Sequence, residues 1–208
     1  MEDIIRLDRE YLFQNYGRER LCFDHGVGEF LYDLEGNLYL DLVAGIAVCS
    51  LGHSHPNVVQ ALCEQSKRLI HVSNLYFIRE QAMLGERIAS VMPEGLNRSL
   101  FVNSGAEANE AALKLAVKHT GRGKVLSALN SFHGRTAGAL SATGQTKYHK
   151  GFEPLLSSAF EMFDYGAGEG LKEMVDGNTA AIMLEAVQGE GGIIPSDTDF
   201  MRLARDLC

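Results

Sequence analysis

The chain has 208 residues, 46% of them hydrophobic and 22% charged, with a formal net charge of −8. This is enough apolar content to bury a core and too little charge for a disordered chain, while an acidic surface offers no counter-charge to nucleic acid or to an anionic membrane face. The four dispersed cysteines, Cys22, Cys49, Cys63 and Cys208, form no C-x-x-C pair and fit reduced thiols rather than a disulfide frame or a zinc site, so no metal is expected.

The N-terminal stretch MEDIIRLDREYLF lacks the basic-then-apolar pattern of a secretory signal, and no apolar run is long enough to cross a bilayer, which places the protein in the cytoplasm. EFLYDLEGNLYLDL then reads as a β-hairpin turning at Glu35-Gly36-Asn37. The small apolar segment VAGIAVCSLGHSHP closes on Pro56, which suits the first position of a helix with His55 as its cap. Val59, Leu62, Cys63, Ser66 and Leu69 share one face of that helix. A second helix is predicted from about Glu80 to Val91, with Leu84, Ile88 and Val91 inward, before Pro93 and Gly95 break it.

The stretch RSLFVNSGAEANEAALKLAV, residues 98–117, is the most informative. A short strand, SLFV, turns through Asn103, Ser104, Gly105 and Ala106 into a helix predicted to turn Ala108, Ala111, Ala112, Leu115 and His119 inward. The amides of Gly105 and Ala106 lack partners inside that helix, and the helix dipole favours an anion beside them. Ser104 and Glu107 also fit the S-x-x-E capping box. Spacing alone therefore favours an ordinary helix cap over an anion site.

Further along, KVLSAL and TAAIMLE read as strands buried on both faces. Their alternation with helices gives an α/β layer with a mostly parallel sheet, in which ligands bind beyond the carboxyl ends of the strands. The segments at those ends, 103–106, 130–136 and 185–192, are expected to converge. Arg135 is the candidate for binding a carboxylate, because its guanidinium fork donates to both carboxylate oxygens at once. The last helix, carrying Phe200, Leu203, Ala204 and Leu207, stops at Cys208 without a capping signal, and the chain reads as an N-terminal fragment. The pair His53 and His55 has no further ligand nearby and reads as a structural turn. The G-x-S-x-G elbow that would make Ser104 a nucleophile is absent, as is a Walker phosphate loop. A noncatalytic module holding phosphate or a phosphorylated cofactor stays open as an alternative class.

The segments VNSGAEANEAALKLA, NSFHGRTAGALSATGQTKY and LEAVQGEGG, in this order and spacing, resemble the class III pyridoxal-phosphate-dependent aminotransferases, as does LYDLEGNLYLDLVAGIAVCSLGHSHP. Within that family the resemblance is greatest to the members acting on N2-acetylornithine. It implies a type I PLP-transferase-like large domain, incomplete in this chain, in residues 45–208, preceded by an N-terminal hairpin segment, residues 1–44, contributing to the small domain. It implies that Ser104, Gly105 and Ala106 cradle the cofactor phosphate, that Phe132 lies against the pyridine ring, and that Glu185 and Gln188 sit near the phenolic oxygen. Arg135 is implied to grip the substrate α-carboxylate. Glu190 resembles a glutamate that pairs with a later arginine and lets one site accept both an ω-amine donor and a dicarboxylate. Ala44, Gly45, Ile46 and Ala47 line the substrate entrance in the relatives. Ala186 departs from the proline usual after the first glutamate, which loosens the backbone without removing a functional group. None of Lys67, Lys114, Lys118, Lys124, Lys147, Lys150 and Lys172 stands in the context of the lysine that anchors the cofactor aldehyde, so no catalytic residue is assigned here. The implied activity is transfer of the ω-amine of N2-acetylornithine to 2-oxoglutarate in a homodimer. Ornithine, succinylornithine or 4-aminobutyrate are the alternative donors.

Overall fold

The computed structural model describes residues 1–208 as two compact units, Met1–Ile78 and Arg79–Cys208. In the first unit, helix α1 (Glu2–Tyr11) precedes a three-stranded antiparallel sheet of β1 (Phe23–Val27), β2 (Phe30–Asp33) and β3 (Leu38–Leu40). The hairpin of β2 and β3 is the one legible in the sequence. Its turn is organised by the Asp33 carboxylate, which accepts from the amides of Glu35 and Asn37, from Asn37 Nδ2 at 2.9 Å and from the Tyr39 hydroxyl at 3.0 Å. Strand β1 carries no clear alternation (exposed except at Gly26) and was not expected.

After β3 the backbone makes one left-handed turn, α2 (Ala44–Ala47), with φ of 50°, 62°, 60° and 63° at Ala44, Gly45, Ile46 and Ala47. Left-handed backbone costs an L-residue roughly 1–2 kcal/mol. The turn is held by Asp41, whose Oδ1 accepts from the Val43 and Ala44 amides at 2.9 Å and whose Oδ2 lies 2.7 Å from His53 Nε2. His53 therefore has a structural partner. Helix α3 (Pro56–Arg68) starts at Pro56 as expected, but the side chain of His55 caps nothing and its Nδ1 is buried without a partner.

The second unit begins with α4 (Arg79–Ala89) and continues through an extended stretch, Ser99–Val102, into α5 (Gly105–Thr120). The expected strand SLFV is absent as a strand. A strand exists only through a ladder partner, none pairs with these residues, and Leu100 stays 72% exposed. The parallel sheet is built from β4 (Lys124–Ala128), β5 (Phe160–Phe163) and β6 (Thr179–Met183) in the order β5-β4-β6. Central β4 is buried along Val125–Ala128. The connections carry α6 (Ala137–Ala142), α7 (Thr146–His149) and α8 (Gly168–Met174). After β6 come the two-residue strands β7 (Val187–Gln188) and β8 (Ile194–Pro195), then α9 (Thr198–Leu207). Leu126, Ala128 and Phe163 of the sheet pack with Leu171 of α8 and Phe200 and Ala204 of α9 into one core. On the other face Ser127 donates to the Ala142 carbonyl of α6 at 2.6 Å, so its buried hydroxyl is satisfied.

The apolar stripes expected to turn inward on α3 and α4 instead face solvent. Val59, Leu62, Leu84 and Val91 are exposed, Ile88 is half-buried, and neither helix fully buries a residue. On α5 the inward face is rotated: Leu113 is buried with Ala106, Asn109 and Glu110 partly covered beside it, whereas Leu115 is 69% exposed. Replacing the fully buried Leu126 with alanine would leave a void in the core, and the loss of stability is expected to be about 2–5 kcal/mol. Chemical denaturation followed at the tertiary signal of the second unit measures it, and a loss under 1 kcal/mol would contradict this packing.

Candidate active site

The three polar segments meet at the carboxyl ends of β4 and β6, and the second unit supplies all of them. At the start of α5, Ser104 is the N-cap and its Oγ accepts the Glu107 amide at 3.2 Å. Glu107 reaches back one residue farther than a standard capping box, taking the Asn103 amide at 2.6 Å. The amides of Gly105 and Ala106 make no hydrogen bond within the chain, and a Cβ built on Gly105 meets open space. These two donors, the Ser104 hydroxyl hydrogen and the positive end of a sixteen-residue helix fit a phosphate group.

The loop after β4 lies directly on this helix start. Gly134 has φ of 129°, and a Cβ there would come within 2.7 Å of Ala106 Cβ, so only glycine allows the approach. Two neighbouring side chains of α5 fasten the loop at both ends. Asn109 Nδ2 donates to the His133 carbonyl at 2.6 Å. Glu110 Oε1 accepts from the Thr136 hydroxyl at 2.7 Å and from the amides of Gly138 and Ala139 at 2.8 and 3.1 Å, capping α6. Thr143 adds a third fastening, accepting the His133 amide at 3.0 Å. Sequence reasoning passed over Asn109, Glu110 and Thr143. The available signal was the presence of two polar residues on the same helical stripe as Ala106 and Leu113, where an unbonded carboxylate or amide is costly.

The loop after β6 is tied to the same place. Glu185 Oε1 accepts the Phe132 amide at 3.0 Å and its Oε2 accepts the Gly189 amide at 3.3 Å. Gln188 is 1% exposed and donates through Nε2 to the Leu129 carbonyl at 2.8 Å. Both residues thus join the two loops. Phe132 is half-buried and meets the Tyr148 ring edge-on, with centroids 5.3 Å apart. Arg135 is exposed, and its guanidinium carbon lies 5.9 Å from the Phe132 centroid and 5.7 Å from that of Tyr148. Glu190 is also exposed. Its Oε1 accepts from the Tyr148 hydroxyl at 2.5 Å and faces Lys147 Nζ at 3.3 Å.

Electrostatics follow from these contacts. The Tyr148 and Lys147 bonds hold the Glu190 carboxyl below the usual glutamate range, and the Glu190 bond raises Lys147 in turn. Burial pushes the His133 imidazole down, against a smaller opposing pull from Glu185. His133 is 6% exposed and its Nε2 has no partner, so a neutral ring is the form this site favours near pH 7.

Residues 13–208 match the family model of the class III aminotransferases. The chain belongs to the class III aminotransferases. These enzymes depend on pyridoxal phosphate. Over 206 residues the chain is 46% identical to an acetylornithine aminotransferase of Methanothermobacter thermautotrophicus, covering 99% of this chain and 52% of the relative. It is 48% identical over 200 residues to one of Bacillus anthracis, covering 95% of this chain and 50% of that protein. An ornithine aminotransferase structure from Toxoplasma gondii superposes with a TM-score of 0.92 at 34% identity, covering 100% of this chain and 50% of that one. The chain thus spans about half the length of the relatives it matches. The incomplete parallel sheet is the aminotransferase α/β fold, and no helix is long and apolar enough to cross a membrane.

Desolvation pushes the Glu110 carboxyl up, but the Thr136, Ala139 and Gly138 bonds outweigh it and leave it below its ordinary value of 4.5. A depressed carboxylate stabilises the fold above that ordinary value, and the contribution disappears as pH falls through the lowered one. Glu110→Ala is therefore expected to speed hydrogen exchange at the Gly138 and Ala139 amides at pH 7, and the difference from wild type should shrink at acid pH. Unchanged exchange at pH 7 would show that Glu110 does not hold this helix start.

Proposed function

We propose that the complete protein transfers the ω-amino group of N2-acetylornithine to 2-oxoglutarate. The observation that supports this reading is the close approach of Gly134 to Ala106, which joins the helix start with two unbonded amides to the loop that carries Phe132 and Arg135. The names of the relatives support the donor. When bound, pyridoxal phosphate supplies an electron sink for the carbon that bears the amine. The residues of this chain bind and orient. Ser104, Gly105 and Ala106 receive the phosphate, Phe132 covers a ring face, and Glu185 and Gln188 border the cofactor's phenolic side. Arg135 takes the substrate carboxylate and so decides which end of the donor faces the cofactor. Glu190 distinguishes the donor from the dicarboxylate acceptor.

Ornithine is the second donor to weigh, because a solved ornithine aminotransferase shares the fold closely. By resemblance, the stretch Ala44, Gly45, Ile46 and Ala47, without the tyrosine of the ornithine enzymes, supports the acetylated donor. We also propose a cytoplasmic homodimer, supported by the four free cysteines and by exposed apolar side chains such as Ile70, Leu75 and Phe77. In the complete protein, residues 1–44 are assigned to a small domain and 45–208 to the start of the cofactor-binding domain. The anchoring lysine is assigned to the remainder of that protein, so residues 1–208 alone should not turn over.

With purified full-length protein, kcat/KM for N2-acetylornithine is expected to fall on the order of 10²-fold in Arg135→Ala, about 3 kcal/mol for the two charge-assisted bonds removed, while cofactor absorbance is retained. Ser104→Ala is expected to weaken cofactor retention about fivefold. Wild-type protein inactive with both acetylornithine and ornithine would refute the assignment. Steady turnover by residues 1–208 alone would refute the placement of the lysine.

A further inference from the structure

Tyr148 touches Phe132, Arg135 and Glu190 together. Its ring meets Phe132 edge-on at 5.3 Å, its face lies 5.7 Å from the Arg135 guanidinium carbon, and its hydroxyl donates to Glu190 at 2.5 Å. Its neighbour Lys147 faces the same Glu190 oxygen at 3.3 Å and stands 4.8 Å from the Tyr148 centroid. The four-residue helix α7 carries both, and it follows Gly144, whose amide is fixed by Ser131 Oγ at 2.9 Å, so the pair is set by the same loop that positions Phe132 and Arg135.

We propose that Tyr148, with Lys147, is a specificity-determining residue that holds the Glu190 carboxylate aside and neutralises it, so that the site admits a second carboxylate. The inference rests on the reading of Arg135 and Glu190 as substrate-facing groups. A bare carboxylate facing an incoming dicarboxylate repels it, and like charges brought together at a binding site cost several kcal/mol. A carboxylate already hydrogen-bonded to a phenol and paired with an ammonium presents much less charge. The ring does separate work: it stacks on the guanidinium and limits the directions in which the Arg135 fork turns. Hydroxyl and ring therefore act on different substrates. The hydroxyl governs the dicarboxylate through Glu190, and the ring governs every carboxylate that Arg135 receives.

The two duties separate in two variants of the full-length protein loaded with pyridoxal phosphate. Tyr148→Phe keeps the ring and removes the hydroxyl, and it is expected to raise KM for 2-oxoglutarate about tenfold while KM for the amine donor stays within twofold. Tyr148→Ala is expected to raise both. Cofactor absorbance should be unchanged in each, which a general loss of fold would not allow. Calorimetric titration with glutarate gives a readout independent of turnover: Tyr148→Phe should bind it about tenfold more weakly than wild type. Equal KM changes for both substrates in Tyr148→Phe, or unchanged glutarate affinity, would overturn the proposal, as would wild-type protein that does not bind glutarate. Wild type that binds glutarate in a Tyr148-dependent way yet transaminates neither acetylornithine nor ornithine would refute the assigned reaction and leave the role of Tyr148 standing.

Discussion

Helix α5 holds the loop that follows β4 through two adjacent side chains, Asn109 on the His133 carbonyl and Glu110 on Thr136, Gly138 and Ala139. The same helix opens with the unbonded amides of Gly105 and Ala106. One helix thus fixes both an end with unbonded amides and the loop bearing a ring and a guanidinium. Without those bonds, residues 132–136 would be a surface connection free to sample many conformations, and ordering each on binding would cost roughly 1–2 kcal/mol of backbone entropy alone. With them, the order is present before any ligand arrives, which is the condition for a site to orient rather than merely collect its ligand.

The parts of this arrangement that were legible in the sequence are those where a local rule and the tertiary structure agree. The Glu35-Gly36-Asn37 hairpin turn, Pro56 at a helix start and the Ser104 cap depend on contacts within a few residues, and the last helix shows in its own sequence the apolar stripe that packs on Leu126, Phe163 and Leu171. The inward face of α5 was misread because the stripe that matters is polar. Asn109 and Glu110 look like solvent-facing residues until the loop arrives to use their hydrogen-bonding groups, while Ala108, Ala112 and Leu115 look like core and are exposed. Ser99–Val102 has the composition of a strand without a partner to pair with. Strand β5 was passed over for the opposite reason: FEMF places a glutamate within four residues, and its membership of the sheet comes wholly from its register with Val125–Ala128.

Strain in the first unit follows the same logic on a smaller scale. A left-handed turn through Ala44, Gly45, Ile46 and Ala47 is unfavourable for three of its four residues, and it persists because Asp41 binds two amides at its start and His53 at its other carboxylate oxygen. The Asp41 carboxyl is held below the usual carboxylate range first by the His53 bond and then by those amides. Of the H-x-H pair, His53 therefore serves backbone geometry as a brace, while His55 occupies the N-cap of α3 without capping it.

For an acidic chain to receive an anion as proposed, positive potential must be concentrated locally, and the second unit favours this by pairing negative charges as much as by adding positive ones. Glu185 is tied to two backbone amides, Glu110 to two amides and a hydroxyl, and Glu107 to the Asn103 amide. Glu190 is met by Lys147 and Tyr148. These four carboxylates already have donors, while the first two amides of α5 do not, and burial favours the uncharged form of His133. The net charge of −8 is thus compatible with an anion site, because what an incoming anion meets is set within a few ångströms by which groups are already paired and only weakly by distant charges screened over about 10 Å of solvent.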